Sequence, residues 1–93
     1  MEYKVGRTAE YTKWLDSLSG KERIQVADRI SRIQNDGHFG KIRYLDDGLW
    51  EIKFNNGNRV YFFRIAEKEI VLVLGGNKHG QQKDIQKAKT FFR

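Results

Sequence analysis

The hydrophobic period of this chain changes at Gly37, and that change limits the available folds more than any other feature. Before Gly37 apolar residues return every three or four positions; after it they return every second. Tyr11, Trp14, Leu15 and Leu18 form one helical stripe, with Thr8 placed as its N-cap. Ser19-Gly20 interrupts the stripe. Ser19 and Glu22 then make a capping box for a second helix, whose buried stripe is read as Ile24, Ala27, Ile30 and Ile33, helped by Val26. Asn35-Asp36-Gly37 ends it, with Gly37 free to take the left-handed C-cap conformation. Two helices separated by so short a break are expected to pack as an antiparallel hairpin.

The strands come after. Lys41 to Leu45 reads as one, Asp46-Asp47-Gly48 as a turn, and Leu49 to Phe54 as the next, with Trp50, Ile52 and Phe54 on one face and Glu51 and Lys53 on the other. Asn55-Asn56-Gly57-Asn58 is a hairpin signal, Arg59 to Ala66 a further strand, and Glu67-Lys68 a tight turn. Ile70 to Leu74 is a continuous apolar run, as expected of a central strand covered on both faces, and Gly75-Gly76 is read as its end. A last helix after Gly80 carries Ile85, Ala88 and Phe92 on one side. Glu2 to Val5 is read as a short edge strand. The order is β-α-α-β-β-β-β-α, an α+β fold with the helical hairpin packed on a twisted, mainly antiparallel sheet. The helices are expected to cover one face and leave the other partly open.

Composition bounds the chemistry. The 93 residues suit one domain spanning 1–93. Without cysteine there is no disulfide framework, thiol catalysis or Cys-based zinc site. No apolar run approaches the roughly 18–20 residues of a membrane span, and Met1 to Val5 lacks the layout of a secretory signal, so a cytoplasmic location without membrane contact is expected. Eighteen Lys/Arg against twelve Asp/Glu give a net charge of +6, which poses nucleic acid as a partner. The charges are interspersed, however, and a solubilising surface explains the total equally well.

Four stretches in this order carry a resemblance: Leu49-Trp50-Glu51-Ile52-Lys53; Asn58-Arg59-Val60-Tyr61-Phe62; Leu72-Val73-Leu74-Gly75-Gly76-Asn77-Lys78; and Gln81 with Asp84-Ile85 and Ala88. Together they resemble the RelE/ParE superfamily of bacterial toxins, in particular its HigB-like addiction module killer branch, from Tyr11 through Ala88. The resemblance implies the toxin of a type II toxin–antitoxin system, usually a ribosome-dependent endoribonuclease that cleaves mRNA and inhibits translation. It implies a cognate antitoxin, often a small helix-turn-helix protein, with operator DNA bound only through the toxin–antitoxin complex. No cofactor is implied.

Metal-independent RNA cleavage turns a 2′-hydroxyl on the adjacent phosphorus. It needs help with deprotonation, charge stabilisation on the phosphorane, and a proton for the leaving 5′ oxygen. With His38 and His79 the only histidines and no compact acidic cluster, the sequence favours a Lys/Arg/His constellation over metal ligands. Arg59 opens a strand after a tight turn, where its guanidinium can hold a phosphate through two hydrogen bonds; the resemblance places an arginine there, and a solvated arginine is the alternative. Lys53 stands where the family usually has arginine, keeping the charge and losing the fork. Lys78 matches the family lysine before the last helix. His79 departs from the family pattern, which often has a small hydroxyl residue there, but an imidazole is a chemically attractive proton carrier. Tyr44, Tyr61 and Phe63 are candidate stacking platforms for splayed bases, although Tyr61 and Phe63 share a face that also suits the core. Gln81 and Arg64 complete the RNA-binding set. Lys21, Arg23, Arg29 and Arg32 form a basic outer surface on the second helix, solvated or in contact with RNA or antitoxin.

Whether Lys53 and Arg59 act together depends on register. A two-residue Asn56-Gly57 turn puts them on opposite faces; a three-residue loop with a bulge puts them side by side, and this arrangement is expected. Two rival functions stay open: a ParE-like inhibitor of DNA gyrase, and a non-catalytic RNA- or partner-binding module.

Overall fold

The computed structural model describes residues 2–92; Met1, Arg93 and the side chain of Phe92, which the sequence places in the last helical stripe, lie outside that description. The element order is the expected one: β1 (Lys4–Arg7), α1 (Ala9–Asp16), α2 (Gly20–Asp36), β2 (Ile42–Asp46), β3 (Leu49–Lys53), β4 (Asn58–Ala66), β5 (Glu69–Asn77) and α3 (Gln81–Lys89). One-turn 3-10 helices at Lys78–Gly80 and Thr90–Phe92 flank α3. The five strands form a single sheet in the order β1-β5-β4-β3-β2, parallel only where β1 meets β5.

The local signals act as their chemistry requires. The Thr8 hydroxyl accepts from the Tyr11 N–H at 3.1 Å and donates to the Val73 carbonyl at 2.7 Å, so the cap of α1 also fixes it to β5. Ser19 caps α2 by accepting from the Glu22 N–H at 3.2 Å, and Gly37 ends it at φ +71°. Asp47 and Gly48 both take positive φ, as a two-residue turn between β2 and β3 demands.

The structure corrects four expectations. The buried stripe of α2 is Val26, Ile30 and Ile33; Ile24 is 71% exposed and Ala27 is exposed beside it. The first strand begins later than read, at Lys4, and continues to Arg7. Gly75-Gly76 does not end β5. A Cβ at Gly75 would overlap the Trp14 indole and one at Gly76 the Asp84 carboxylate, so the two glycines carry the strand through closely packed neighbours on both faces as far as Asn77.

The fourth correction concerns the open face. Val26, Ile30 and Ile33 of α2 pack with Ile52, Phe54, Val60, Phe62, Ile70 and Leu72 on one face of the sheet. On the other, Ala88 and Ile85 of α3 pack with Leu49, Tyr61, Phe63, Val73 and Leu74. Helices therefore cover both faces.

Candidate functional site

The β3–β4 connection sets the site. The Gly57 N–H donates to the Phe54 carbonyl at 3.1 Å, and the Phe54 N–H donates to the Asn58 carbonyl at 3.1 Å. Gly57 has φ +96°, a left-handed bulge glycine closing a three-residue loop. Asn58 is fixed by two bonds: its N–H donates to Asn56 Oδ1 at 3.0 Å and its Nδ2 to Glu22 Oε2 at 3.0 Å. In this register Lys53 lies directly opposite Arg59 and their side chains share a face.

Two more cations join them. The Lys53 N–H donates to the Lys41 carbonyl at 2.9 Å, bringing Lys41 alongside. The Lys78 N–H donates to the Gly57 carbonyl at 2.8 Å, and the Lys78 stem lies over Gly57. Lys41, Lys53, Arg59 and Lys78 thus line one cavity of about 250 Å³ around the hairpin loop. Like charges directly opposite on neighbouring strands are destabilising, so four cations around one cavity suit an anionic ligand. Among the described residues no group of three His, Asp or Glu side chains is placed to hold a metal ion.

Arg59 is held from below. Its side chain is only 14% exposed, its Nη1 donates to the Asn58 carbonyl at 3.1 Å, and its Nε lies 3.8 Å from Oε2 of the fully buried Glu51. Gln81, at the start of α3, donates from Nε2 to the same Glu51 oxygen at 2.6 Å. The Tyr61 phenol is buried beside this carboxylate; burial first, then the Glu51 and Asp84 charges, push its ionisation well above the ordinary tyrosine range.

The remaining sequence candidates do not line this cavity. Tyr61 is fully buried under α3 and has no ring face left for a base, because the parity that puts it beside Arg59 also turns it into the second core. Phe63 shares that core. Gln81 is occupied by Glu51. Tyr44 and Arg64 lie on the opposite sheet face, where Tyr44 meets Trp50 edge-on at 5.0 Å and the Arg64 guanidinium stands about 6 Å from the Tyr3, Phe39 and Trp50 rings. His79 is exposed and outside the cavity lining; its N–H and that of Gly80 are accepted by Asn77 Oδ1 at 2.9 and 3.3 Å. Arg29 is turned inward rather than outward: Nη1 donates to the Phe39 and Lys53 carbonyls, both at 3.3 Å, with the guanidinium 4.5 Å from the Phe54 ring centre. Burial, and secondarily the Arg32 charge, lower its proton affinity. Sequence reasoning missed Lys41 and Glu51. Lys41 stands two residues before Arg43 and so shares its face, a signal that becomes readable once β2 is paired with β3.

A family model described as phage derived protein Gp49-like (DUF891) matches residues 13–93. The chain belongs to this family. It is also 33% identical over 92 residues to an uncharacterized protein of Haemophilus influenzae, covering 96% of this chain and 92% of the other. Among solved structures, this Gp49-like chain superposes on a double arginine-to-alanine variant of Escherichia coli toxin RelE in the free state. That match has a TM-score of 0.76 and 18% identity and covers 100% of both chains. The archaeal RelE–RelB complex from Pyrococcus horikoshii OT3 gives a TM-score of 0.68 at 15% identity over 84% of this chain and 97% of that one. The intact E. coli RelBE toxin–antitoxin complex gives 0.64 at 19% over 81% and 95%. At these identities the structural likeness establishes a RelE fold, in agreement with the superfamily the motifs resemble.

Proposed function

We propose that this Gp49-like protein is the toxin of a type II toxin–antitoxin module, HigB-like in its motifs, and that it cleaves mRNA on the ribosome in the cytoplasm. The observation that carries this reading is the cation cluster, with Lys53 directly opposite Arg59 and Lys41 and Lys78 around the same cavity. The RelE fold supports it, and the solved complexes of RelE with RelB support an antitoxin as partner. Operator DNA would be bound only by that pair.

In this reading Arg59 and Lys78 hold the non-bridging oxygens of the scissile phosphate and take up the charge that grows on them as the 2′-oxygen bonds to phosphorus. Lys53, acting as the free amine, accepts the proton leaving the 2′-hydroxyl. As the bond to the 5′ oxygen breaks, that oxygen receives a proton from Lys78 or from His79. A pH–rate profile that loses one limb in His79→Ala assigns this proton to the imidazole; an unchanged profile leaves it with Lys78.

Expression of the wild-type chain is expected to arrest growth, and Arg59→Ala to relieve the arrest while still folding, with a single cooperative transition at a lower Tm because buried Glu51 loses a partner. Arrest by the variant equal to wild type removes Arg59 from the mechanism. Purified protein that blocks supercoiling and leaves transcripts whole transfers the target to DNA gyrase.

A further inference from the structure

Glu51 stands in the middle of β3 with its side chain fully buried on the face that α3 covers, between Leu49 and Lys53 along the strand and Arg43 and Tyr61 across it. A carboxylate taken out of water costs several kcal/mol unless it is closely partnered. Its partners come from three elements: Oε1 is 3.3 Å from the Arg43 guanidinium of β2, and Oε2 lies 3.8 Å from Arg59 Nε of β4 and accepts from Gln81 Nε2 of α3 at 2.6 Å. Arg59 Nε is buried without a hydrogen bond and stands 3.8 Å from Oε2, so the Glu51–Arg59 pair is close but not closed. Asn58 holds the Nη1 edge of the same guanidinium. A buried carboxylate among these groups is explained by what it holds.

We propose that Glu51 is a positioning residue for the phosphate site: it fixes the Nε edge of Arg59, with Gln81 fixing Glu51, so that the outer edge of the guanidinium faces the cavity. The proposal deepens the endoribonuclease reading and rests on it. Glu51 touches no substrate; it acts only through Arg59. The 3.8 Å slack closes when a phosphate draws the guanidinium into register, as catalytic hydrogen bonds commonly tighten on loading.

The test measures cleavage of a defined mRNA on programmed ribosomes by purified wild type, Glu51→Gln, Arg59→Lys and the double variant, each checked for an intact thermal transition. Arg59→Lys keeps the charge and loses the Nε that Glu51 meets. Glu51→Gln alone is expected to lower the rate at saturating substrate by about 10- to 100-fold with KM changed by less than about threefold. On the Arg59→Lys background it is expected to have no further effect. Losses that multiply in the double variant, or a wild-type rate for Glu51→Gln, overturn the proposal.

Should wild type cleave nothing, the nuclease reading fails while the positioning claim is still read by NMR. With inorganic phosphate bound, wild type is expected to show a sharp, slowly exchanging Arg59 Nε–H signal that broadens in Glu51→Gln; an unchanged signal overturns the claim. Should Glu51→Gln not fold, Gln81→Ala at the rim of the core is expected to shift the rate and the Arg59 signal in the same direction, less steeply. Wild-type values of both overturn the proposal.

Discussion

Gly75 and Gly76 sit next to each other on β5 and face opposite layers, Trp14 on one side and Asp84 on the other. The contacts differ in kind. The Trp14 indole is a large ring packed against the core, while the Asp84 carboxylate is the movable end of a short side chain. Gly75→Ala is therefore expected to destabilise by about 2–3 kcal/mol, and Gly76→Ala by less than half as much. Thermal melts of the two variants check this, and equal losses would contradict it. The same alternation explains which site residues the sequence could show. Lys53, Arg59 and Lys78 stand out only through the family resemblance, because a cation at a strand end is as readily a solvated one. Tyr61 was misplaced among the base-stacking residues because an aromatic on a strand reads alike whether it faces water or a covering helix. Ile24 was misplaced because α2 offers two overlapping stripes, and only docking selects the one through Val26, Ile30 and Ile33.

At the scale of elements, the β3–β4 hairpin and α3 build the site. Three asparagines and a glycine accommodate either a two- or a three-residue loop, so register was not fixed by turn chemistry alone. The bond from Asn58 to Glu22 ties the loop to the start of α2, a contact that no local pattern announces. Gly57→Ala is expected to cost about 1 kcal/mol, because a Cβ is strained at φ +96°, and to reduce activity more than stability, because the Lys78 stem rests on that position. α3 is held partly against its own charge. Desolvation holds the Asp84 carboxyl above the ordinary aspartate range, with Lys87 and Lys83 pulling the other way. A raised carboxyl favours the folded state at acid pH, and that contribution is lost as pH rises through the raised value. The stability of Asp84→Asn relative to wild type is thus expected to increase from about pH 4 to 7, read as the difference in Tm; a difference that shrinks would contradict the assignment.

For the whole molecule, the net charge of +6 counts for less than where the cations stand. With α2 on one face and α3 on the other, four cations gather at the β3–β4 hairpin. Element order was legible from the period change at Gly37, but the side on which α3 lands was not, because its stripe carries no mark of which face receives it. An anion that fills the cavity is expected to stabilise the fold by about 1.4 kcal/mol at ten times its Kd, so phosphate should raise Tm by several degrees over sodium chloride at equal ionic strength. Arg59→Ala should lose most of that rise. No helix among the described residues is long and apolar enough to cross a membrane. The central claim, that the cluster around Arg59 cleaves mRNA, is tested most directly by mapping transcript ends after brief expression of wild type and Arg59→Ala. New ends within translated messages in the wild type, absent in the variant, are the predicted result; growth arrest with unchanged transcript ends would contradict it.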